Sequence, residues 1–475
     1  MPALQIPQEI LTRADVRRAL AEHDFADAFR IIKQYAGFSQ NRIAIACGLT
    51  PGKVSTIMSG STQVTSYDVL VRVADGLGIP GGYVGLAPRP WEGEAVPPPD
   101  TAEVPVHVDS PWQTDMTVEL AGKLISADLA MNRRTLARAL AATTLSGAHL
   151  LDSLEGWMHP GEGGRRRTRP GRLGLGDVEQ LEESAKTFRT WDHRYGGGLR
   201  RRAVLGQLSE VAATLEEHQA PVVEERLHRV LAYLAGTAAT MAWDSGLQRR
   251  AQDYYRLSLR AAHAGGDRLW GANVLAGMAR QMLYNGRPHD ALELVRLAQE
   301  GSRGVAGPRL RAMLRTREAW AMAALGRTTA FERATDLARQ DLADASADEP
   351  YWISYFDDAE LTGTTGGRLL ELARQKPRLH AERAGEQIRS ALARRGPEAG
   401  RSHVLDRLGL AEVYFLCGDL ASGCAQTHAA LDAGEQMHSA RVREGMAHLY
   451  SYTVGHGASP TVREARSRLR EHLTD

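Results

Sequence analysis

The sequence predicts an all-α protein with a small N-terminal domain of five helices and a C-terminal α-solenoid. Apolar residues and alanines recur every three or four positions through most of the chain after Thr114, which is the helical period. Alternating β-branched runs are absent apart from the short segment VPVHV at residues 104–108. Glycines in the C-terminal half recur at intervals of forty residues, which predicts stacked helical units.

Composition narrows the class of protein. The chain has 475 residues and a formal net charge of +1, so it is long enough for several domains and is no obvious polyanion binder as a whole. Three cysteines without a CxxC pair exclude a disulfide framework. The N-terminus lacks a signal-peptide pattern, and no run of eighteen apolar residues occurs. We therefore expect a soluble, cytoplasmic protein with no membrane association.

Two breaks in composition predict four segments. Residues 87–113 hold seven prolines, which indicates an extended linker after a domain at 1–86. Residues 159–176 are rich in glycine and carry five arginines within RRRTRPGR. We predict a helical connector with this loop at 114–176, and a solenoid at 177–475. The loop could contact DNA phosphates, although such loops are more often solvated.

The stretch SQNRIAIACGLTPGKVSTIMSG, residues 39–60, predicts two short helices joined by a tight turn. Ser39 can cap the first helix, and Gly48 can end it in a left-handed conformation. Thr50 can cap the second helix, with Pro51 at its first position, where proline is tolerated.

Apolar residues in and around this stretch predict a compact core. Ile43, Leu49, Val54 and Ile57 fall on the inner side, and Ala44 is small where the two helices meet. The preceding helix offers Phe25, Phe29 and Ile32, and the following helix offers Leu70, Val73 and Leu77.

This pattern, over about residues 24–86, resembles the XRE family of helix-turn-helix domains, which includes phage Cro and repressor proteins. The resemblance implies that the second helix lies in the major groove of double-stranded DNA. Lys53 would contact a phosphate, and the hydroxyl side chains would contact bases. The implied DNA-binding residues are Gln40, Thr50, Pro51, Gly52, Lys53, Ser55, Thr56 and Ser59. The alternative is a purely structural bundle, which the net charge of only +2 over residues 1–90 favours.

The forty-residue repeat consists of Gly246, Gly286, Gly326 and Gly366, with an alanine seven residues before each glycine. Gly418 repeats the register after an insertion. We interpret each glycine as the turn between two antiparallel helices, with small residues where the helices cross. The offsets resemble the tetratricopeptide repeat (TPR), although its period is about 34 residues.

The inner helices of such units would line a concave surface that could bind a ligand. Asn273 and Arg280 could hold a peptide backbone and a carboxylate, and aromatic residues beside them could contact apolar groups. The predicted ligand-binding residues are Tyr233, Trp243, Asn273, Arg280, Tyr284, Trp320, Phe356 and Glu360. The alternative is that the tryptophans and Phe356 fill the core between units.

The remaining sequence patterns give weaker indications of function. The sequence contains no GxSxG, P-loop, GxGxxG or HExxH motif, and its histidines lack metal-ligand spacing, so we predict neither an enzyme nor a cofactor. Cys417 and Cys424 could approach across a turn, but two small buried residues are the better interpretation. Arg200–Arg202 follow a glycine triplet near a helix start, where positive charge is unfavourable; they could bind a partner or simply be solvated.

Most of the chain is similar to actinobacterial XRE regulators with a TPR-like domain, the group that contains negative regulators of sporulation and antibiotic production in streptomycetes. Stretches such as FRTWDHRYGGGLRRRAVLGQL and GRPHDALELVRLAQ carry this resemblance. It implies a repressor of development or secondary metabolism that acts as a homodimer and responds to a peptide or small-molecule effector. The alternative function is a TPR-type protein–protein scaffold with little or no DNA binding.

Overall fold

The chain folds into helices throughout its described parts. The computed structural model describes residues 6–21, 23–64, 67–84, 86, 112–159, 171, 173–195, 201–346, 348–396, 399–435, 437, 439–456 and 458–474. Within these ranges it forms 23 α-helices and no β-strand, as predicted for an all-α fold; the segment 104–108 lies outside them. No helix in these ranges is both long and apolar enough to cross a membrane.

The chain divides into two compact units, Met1–Glu103 and Val104–Asp475, which we call the head and the body. The head contains α1 (Gln8–Leu11), α2 (Ala14–Ala21), α3 (Phe25–Ala36), α4 (Gln40–Ala46), α5 (Pro51–Met58), α6 (Tyr67–Leu77) and a 3-10 turn at Gly81–Tyr83. The described head has six α-helices, one more than the five predicted, and their apolar sides share one core. Ile43, Val54 and Ile57 are at most 1% exposed, whereas Leu49 is half-buried at the edge.

The body begins with α7 (Thr114–Leu129), α8 (Arg133–Ala141), α9 (Ala148–Asp152), a 3-10 turn at Glu155–Met158, α10 (Leu175–Tyr195) and α11 (Arg201–Leu215). Trp157 of the 3-10 turn packs so tightly that a side chain at Gly271 or Gly301 would collide with its ring. The first helices are therefore packed onto the helical repeat. Arg201, expected to face a partner or solvent, instead forms an ion pair with the buried Asp128, while Arg202 is exposed; Arg200 and most of RRRTRPGR lie outside the described residues.

Six antiparallel helix pairs follow. They are α12 (Pro221–Asp244) with α13 (Gln248–Ala264), α14 (Arg268–Tyr284) with α15 (Pro288–Gly301), α16 (Pro308–Ala324) with α17 (Thr328–Ala343), α18 (Asp358–Gln375) with α19 (Pro377–Arg394), α20 (Gly400–Leu416) with α21 (Leu420–Gly434), and α22 (Ala440–Thr453) with α23 (Pro460–Thr474). A 3-10 turn at Tyr351–Ile353 precedes the fourth pair. This architecture is consistent with the predicted α-solenoid.

In most units the repeated glycines lie at turns and the small residues lie between helices, as predicted. Gly246, Gly286, Gly326 and Gly418 all have φ between 68° and 81° at the turns inside their pairs, a conformation that favours glycine. Ala239, Ala279 and Ser258, each at a repeat position, are completely buried between helices. The Ser258 hydroxyl donates to the carbonyl oxygen of Ala232 at 2.6 Å, so this small polar residue is satisfied inside the core.

The prediction for Gly366 is wrong. This glycine lies in the middle of α18 rather than at a turn, and the turn of the fourth pair falls at Lys376 and Pro377. A Cβ at Gly366 would lie 2.7 Å from Cγ1 of Ile388 on α19, so glycine is needed there for the close crossing of two helices. The predicted ligand residues Phe356 and Glu360 therefore lie at the start of α18 and not in the interior of an inner helix.

A buried cluster of charged side chains joins distant parts of the body. Asp244, at the end of α12, pairs with Arg401 on α20 and accepts a hydrogen bond at 2.7 Å from Nε of Arg441 on α22. Ser439 also donates to this carboxylate, at 3.1 Å. We call these four residues the ion cluster. It links the first helical pair to the last two. A cavity lies among the inner helices of the body.

Candidate nucleic-acid interface and candidate ligand cavity

The two helices α4 and α5 are fixed by their own ends. The Ser39 hydroxyl accepts a hydrogen bond from the backbone N–H of Arg42 at 3.3 Å, and the Thr50 hydroxyl accepts one from Lys53 at 3.2 Å. Gly48 has φ 61° in the turn between the helices, and its carbonyl oxygen accepts from Nη1 of Arg72 at 3.1 Å. These are the capping interactions that satisfy free backbone groups at helix ends.

The inner side of the pair is held by close packing. Ile43, Ala44 and Val54 are completely buried in the core of the head. A side chain at Gly76 on α6 would collide with the carbonyl oxygen of Ala46, so α6 and the end of α4 are in backbone contact. This contact leaves α4 little freedom to move against α6.

The outer side of α5 carries the predicted DNA-binding residues. The exposed members of that set are Thr50, Pro51, Gly52, Lys53, Ser55, Thr56 and Ser59; Gln40 is half-buried. The amide Nε2 of Gln40 donates to the sulfur of Met58 at 3.4 Å, which holds it beside the end of α5. Lys53 forms no ion pair with any residue in the described ranges, so its ammonium group is available to an anion.

Two hydroxyl groups on this face have a defined polarity. Oγ1 of Thr56 donates to the carbonyl oxygen of Lys53 at 2.9 Å, and Oγ of Ser59 donates to that of Thr56 at 3.0 Å. Because each hydroxyl has one proton, the Thr56 oxygen remains available as a hydrogen-bond acceptor, whereas Oγ of Ser59 also shares a hydrogen bond with Oγ of Ser61 at 2.9 Å. Such an acceptor suits the exocyclic amino group of adenine or cytosine in the major groove.

The exposed Arg42 on α4 is a further cation, which was not among the predicted DNA-binding residues. Its guanidinium lies 5.3 Å from the centre of the Phe38 ring. Arg42 could have been predicted to contact a phosphate, because it is a basic residue in the first turn of the first helix, from which a side chain can reach the DNA backbone.

Comparison with protein families identifies this part of the chain. The family model described as "Helix-turn-helix domain" matches residues 24–83. Residues 24–83 are a helix-turn-helix domain. A domain of this kind suggests a DNA-binding regulator. Comparisons of the chain with curated proteins and with solved structures gave no match.

Outside the helix-turn-helix domain, a candidate site is a cavity in the body. It is lined by α10, the inner helices α12, α14 and α16, and residues of α13 and α20. It has about 60 Å³ of space for the centres of water-sized molecules. Asn273 and Arg280, both predicted to bind a ligand, are in its wall.

Most of the other predicted ligand residues belong to packed rows of rings. Trp243, Tyr284 and Trp320 contact one another edge to face across three inner helices, with ring centres 5.3 and 5.0 Å apart. Trp243 and Trp320 are buried, whereas Tyr284 is 37% exposed. The hydroxyl of Tyr233 donates to Asp267 at 2.7 Å, and its ring packs on Trp270. None of these four predicted residues lines the cavity.

Phe356 and Glu360 also lie apart from the cavity wall. Phe356 is completely buried in the main core of the body. Glu360 is paired with Arg395 at 2.6 Å. Burial disfavours its charged form, but Arg395 outweighs that effect and holds the pKa of Glu360 below its ordinary value. These two placements favour a packing role for Phe356 and an ion-pair role for Glu360.

The cavity wall includes charged residues that sequence reasoning missed. They are Arg189, Asp192, His193, Arg317 and Arg401. Burial, and then the surrounding guanidinium groups, lower the pKa of His193 well below its ordinary value, so this ring is neutral. Asp192 and His193 lie in the stretch FRTWDHRY, for which no binding role was predicted. Arg401 lies at the start of α20, and no sequence pattern predicted a role for it.

Proposed function

We propose that the chain is a sequence-specific transcription regulator that binds double-stranded DNA through α5. The observation that carries this proposal is the exposed and unpaired face of α5 within a helix-turn-helix domain whose caps and core are intact. In such domains the second helix enters the major groove. Lys53 would neutralise a phosphate, Gln40 would contact the backbone or a base edge, and the hydroxyl groups of Ser55, Thr56 and Ser59 would face bases.

We further propose that the protein acts as a homodimeric repressor of development or secondary metabolism. Its support is the resemblance of the sequence to XRE regulators with a TPR-like domain. A two-fold dimer would bind two half-sites separated by one or two helical turns of DNA. A peptide or small-molecule effector in the body would alter DNA binding only through its different affinities for the two states of the protein.

Selection of genomic DNA fragments with the purified protein tests the DNA-binding function. We expect enrichment of an inverted repeat by the wild type and its loss in Lys53→Glu. A matched control is Lys123→Glu, which makes the same charge change on α7, where Lys123 pairs with Glu119 at 2.5 Å. Measured at several salt concentrations, Lys53→Ala should reduce the salt dependence of binding by about one phosphate contact.

Equal enrichment by Lys53→Glu and wild type would contradict the assignment of α5 as the reading helix. No enrichment by folded wild-type protein, with and without cell extract to supply an effector, would reject DNA binding and favour the scaffold function.

A further inference from the structure

Two arginines in the cavity wall, the buried Arg317 and the half-buried Arg280, have no counter-charge in contact. The guanidinium of Arg280 lies 5.0 Å from the centre of the Trp243 ring. Arg280 on α14 and Arg317 on α16 form no hydrogen bond or ion pair with any described residue, and the Nε atom of each is buried without a partner. Arg317 is only 4% exposed. Holding a guanidinium group out of water without an acceptor is strongly unfavourable, so this arrangement needs an explanation.

Two nearby carboxylates are already paired with other arginines. Asp244 pairs with Arg401 and Arg441, and Glu360 pairs with Arg395. Asp192, in the cavity wall, accepts from the hydroxyl of Thr240 at 2.8 Å through Oδ2, whereas its Oδ1 is buried without a partner. Burial raises the pKa of Asp192, which favours its neutral form. Against this one carboxyl group the wall carries four arginines, Arg189, Arg280, Arg317 and Arg401. The cavity therefore has a surplus of positive charge.

The two arginines also act on each other. Burial, and then the positive charges of Arg441 and Arg317, lower the pKa of Arg280. Beside them the hydroxyl of Tyr255 is buried without a hydrogen-bond partner, although it can donate. A negative group between these side chains would satisfy all three and remove the repulsion.

We propose that this cavity binds a small oxyanion, a phosphate or carboxylate group, through Arg280, Arg317 and the hydroxyl of Tyr255. The cavity offers about 60 Å³ to the centres of water-sized molecules, so it has room for a small anion. Asn273 supplies an additional amide donor at the wall. As a binding site this does not depend on DNA binding; as the effector site of a regulator it rests on the proposed function.

Thermal unfolding of the full chain with defined anions tests the proposal. The probes are sodium phosphate, sodium succinate and sodium chloride at equal ionic strength, and tryptophan fluorescence reports the transition. Seven of the eight tryptophans lie in the body and one, Trp91, lies in the head, so the signal reports mainly on the body. We expect a saturable rise in Tm above that in chloride, because a ligand that binds only the native state stabilises it. A rise with phosphate alone identifies a phosphate site, and a rise with succinate alone identifies a carboxylate site.

Arg317→Met separates a ligand site from a structural role. This variant should lose the anion-dependent rise, while its Tm in chloride should equal or exceed that of the wild type, because a buried unpaired charge has been removed. The matched control is Arg311→Met on the same helix. Arg311 pairs with Asp341 at 3.0 Å and does not line the cavity, so its variant should keep the anion response. Arg280→Met serves the same purpose if Arg317→Met does not fold.

The proposal is overturned if neither phosphate nor succinate raises the Tm above chloride, or if the rise persists in the cavity variants. DNA selection then shows which hypothesis failed. Enrichment of DNA by a protein without an anion response would reject the cavity site alone. An anion response retained by Lys53→Glu, in a protein that enriches no DNA, would reject the proposed function alone. An anion effect on DNA affinity that Arg317→Met abolishes would identify the cavity as the effector site.

Discussion

The head and the body place their charged groups in opposite ways. Among the described residues of the head, every buried side chain is apolar, and its charged and hydroxyl groups lie on the outside. The body buries several arginines and aspartates, among them Asp128, Asp244, Arg317, Arg401 and Arg441. The charged and hydroxyl groups of the head therefore face outward, whereas many charged groups of the body face its interior.

The head and the body also differ in the interactions that determine their structures. In the head, short-range caps at Ser39 and Thr50 fix the helices, and an apolar core tolerates small shifts without leaving a charge unpaired. In the body, several buried charges, such as Asp128 and Asp244, are paired with residues from distant segments, because an unpaired charge in the interior is costly. The body should therefore be the more sensitive of the two to the loss of one charged group.

The largest effect is expected from Asp244→Asn. It removes the carboxylate of the ion cluster and leaves Arg401 and Arg441 buried without their counter-charge, which should cost about 3–5 kcal/mol. Urea unfolding followed by tryptophan fluorescence measures the loss. Asp336→Asn is the control, because its pair with Arg339 is exposed and worth at most about 1 kcal/mol. Equal losses of unfolding free energy in the two variants would contradict the view that the body depends on its buried charges.

The same carboxylate should make the body sensitive to acid. Burial opposes its ionisation, but Arg401 and Arg441 outweigh burial and lower the pKa of Asp244 to about 2. Its stabilising contribution is complete above the ordinary aspartate pKa of 3.8 and is lost as pH falls through 2. The free-energy gap between wild type and Asp244→Asn should narrow by about 2 kcal/mol between pH 4 and pH 2. A constant gap over this range would refute the assignment.

In the head, the most damaging small change should be Gly76→Ala. Its new methyl group meets the carbonyl oxygen of Ala46, and overpacking of this kind costs about 1–3 kcal/mol. Hydrogen exchange of the α4 and α6 amides in the full chain measures the effect. Gly52→Ala is the matched control, because no heavy atom lies within 4 Å of its added Cβ. Unchanged exchange in Gly76→Ala would show that α6 can move away from α4.

A smaller effect is expected from Thr50→Ala. It removes the acceptor for the backbone N–H of Lys53 and should cost about 1 kcal/mol, with faster exchange in the first turn of α5. Ser61→Ala removes an exposed hydroxyl that caps no helix and should leave exchange in that turn unchanged. If both variants behave alike, the cap does not hold α5 in place.

The parts of the fold that depend on neighbouring residues could be predicted from the sequence. The caps at Ser39 and Thr50 and the left-handed turn at Gly48 require only nearby backbone groups, so their residue types were sufficient. The turns at Gly246, Gly286, Gly326 and Gly418 were predictable for the same reason. Gly366 was not, because a glycine that permits close helix crossing has the same letter as one that permits a turn, and only Ile388 on the next helix distinguishes them.

The cavity was predictable only in part. Asn273 and Arg280 could be placed on an inner helix, because helical period and distance from a turn decide which face a residue occupies. Arg317 and Arg401 gave no signal, since burial of an arginine runs against the usual preference of that residue for the surface. The engaged state of each nearby carboxylate depends on contacts between segments far apart in the chain, which no local pattern contains.

The ion cluster has a consequence for synthesis of the chain. Asp244 leaves the ribosome 157 residues before Arg401 and 197 residues before Arg441. At about 5–20 residues per second, its second partner follows only after roughly 10–40 s. During that interval the carboxylate must remain hydrated, so the first helical pair is made long before the last helices can close the cavity. The body therefore finishes folding only when translation is almost complete.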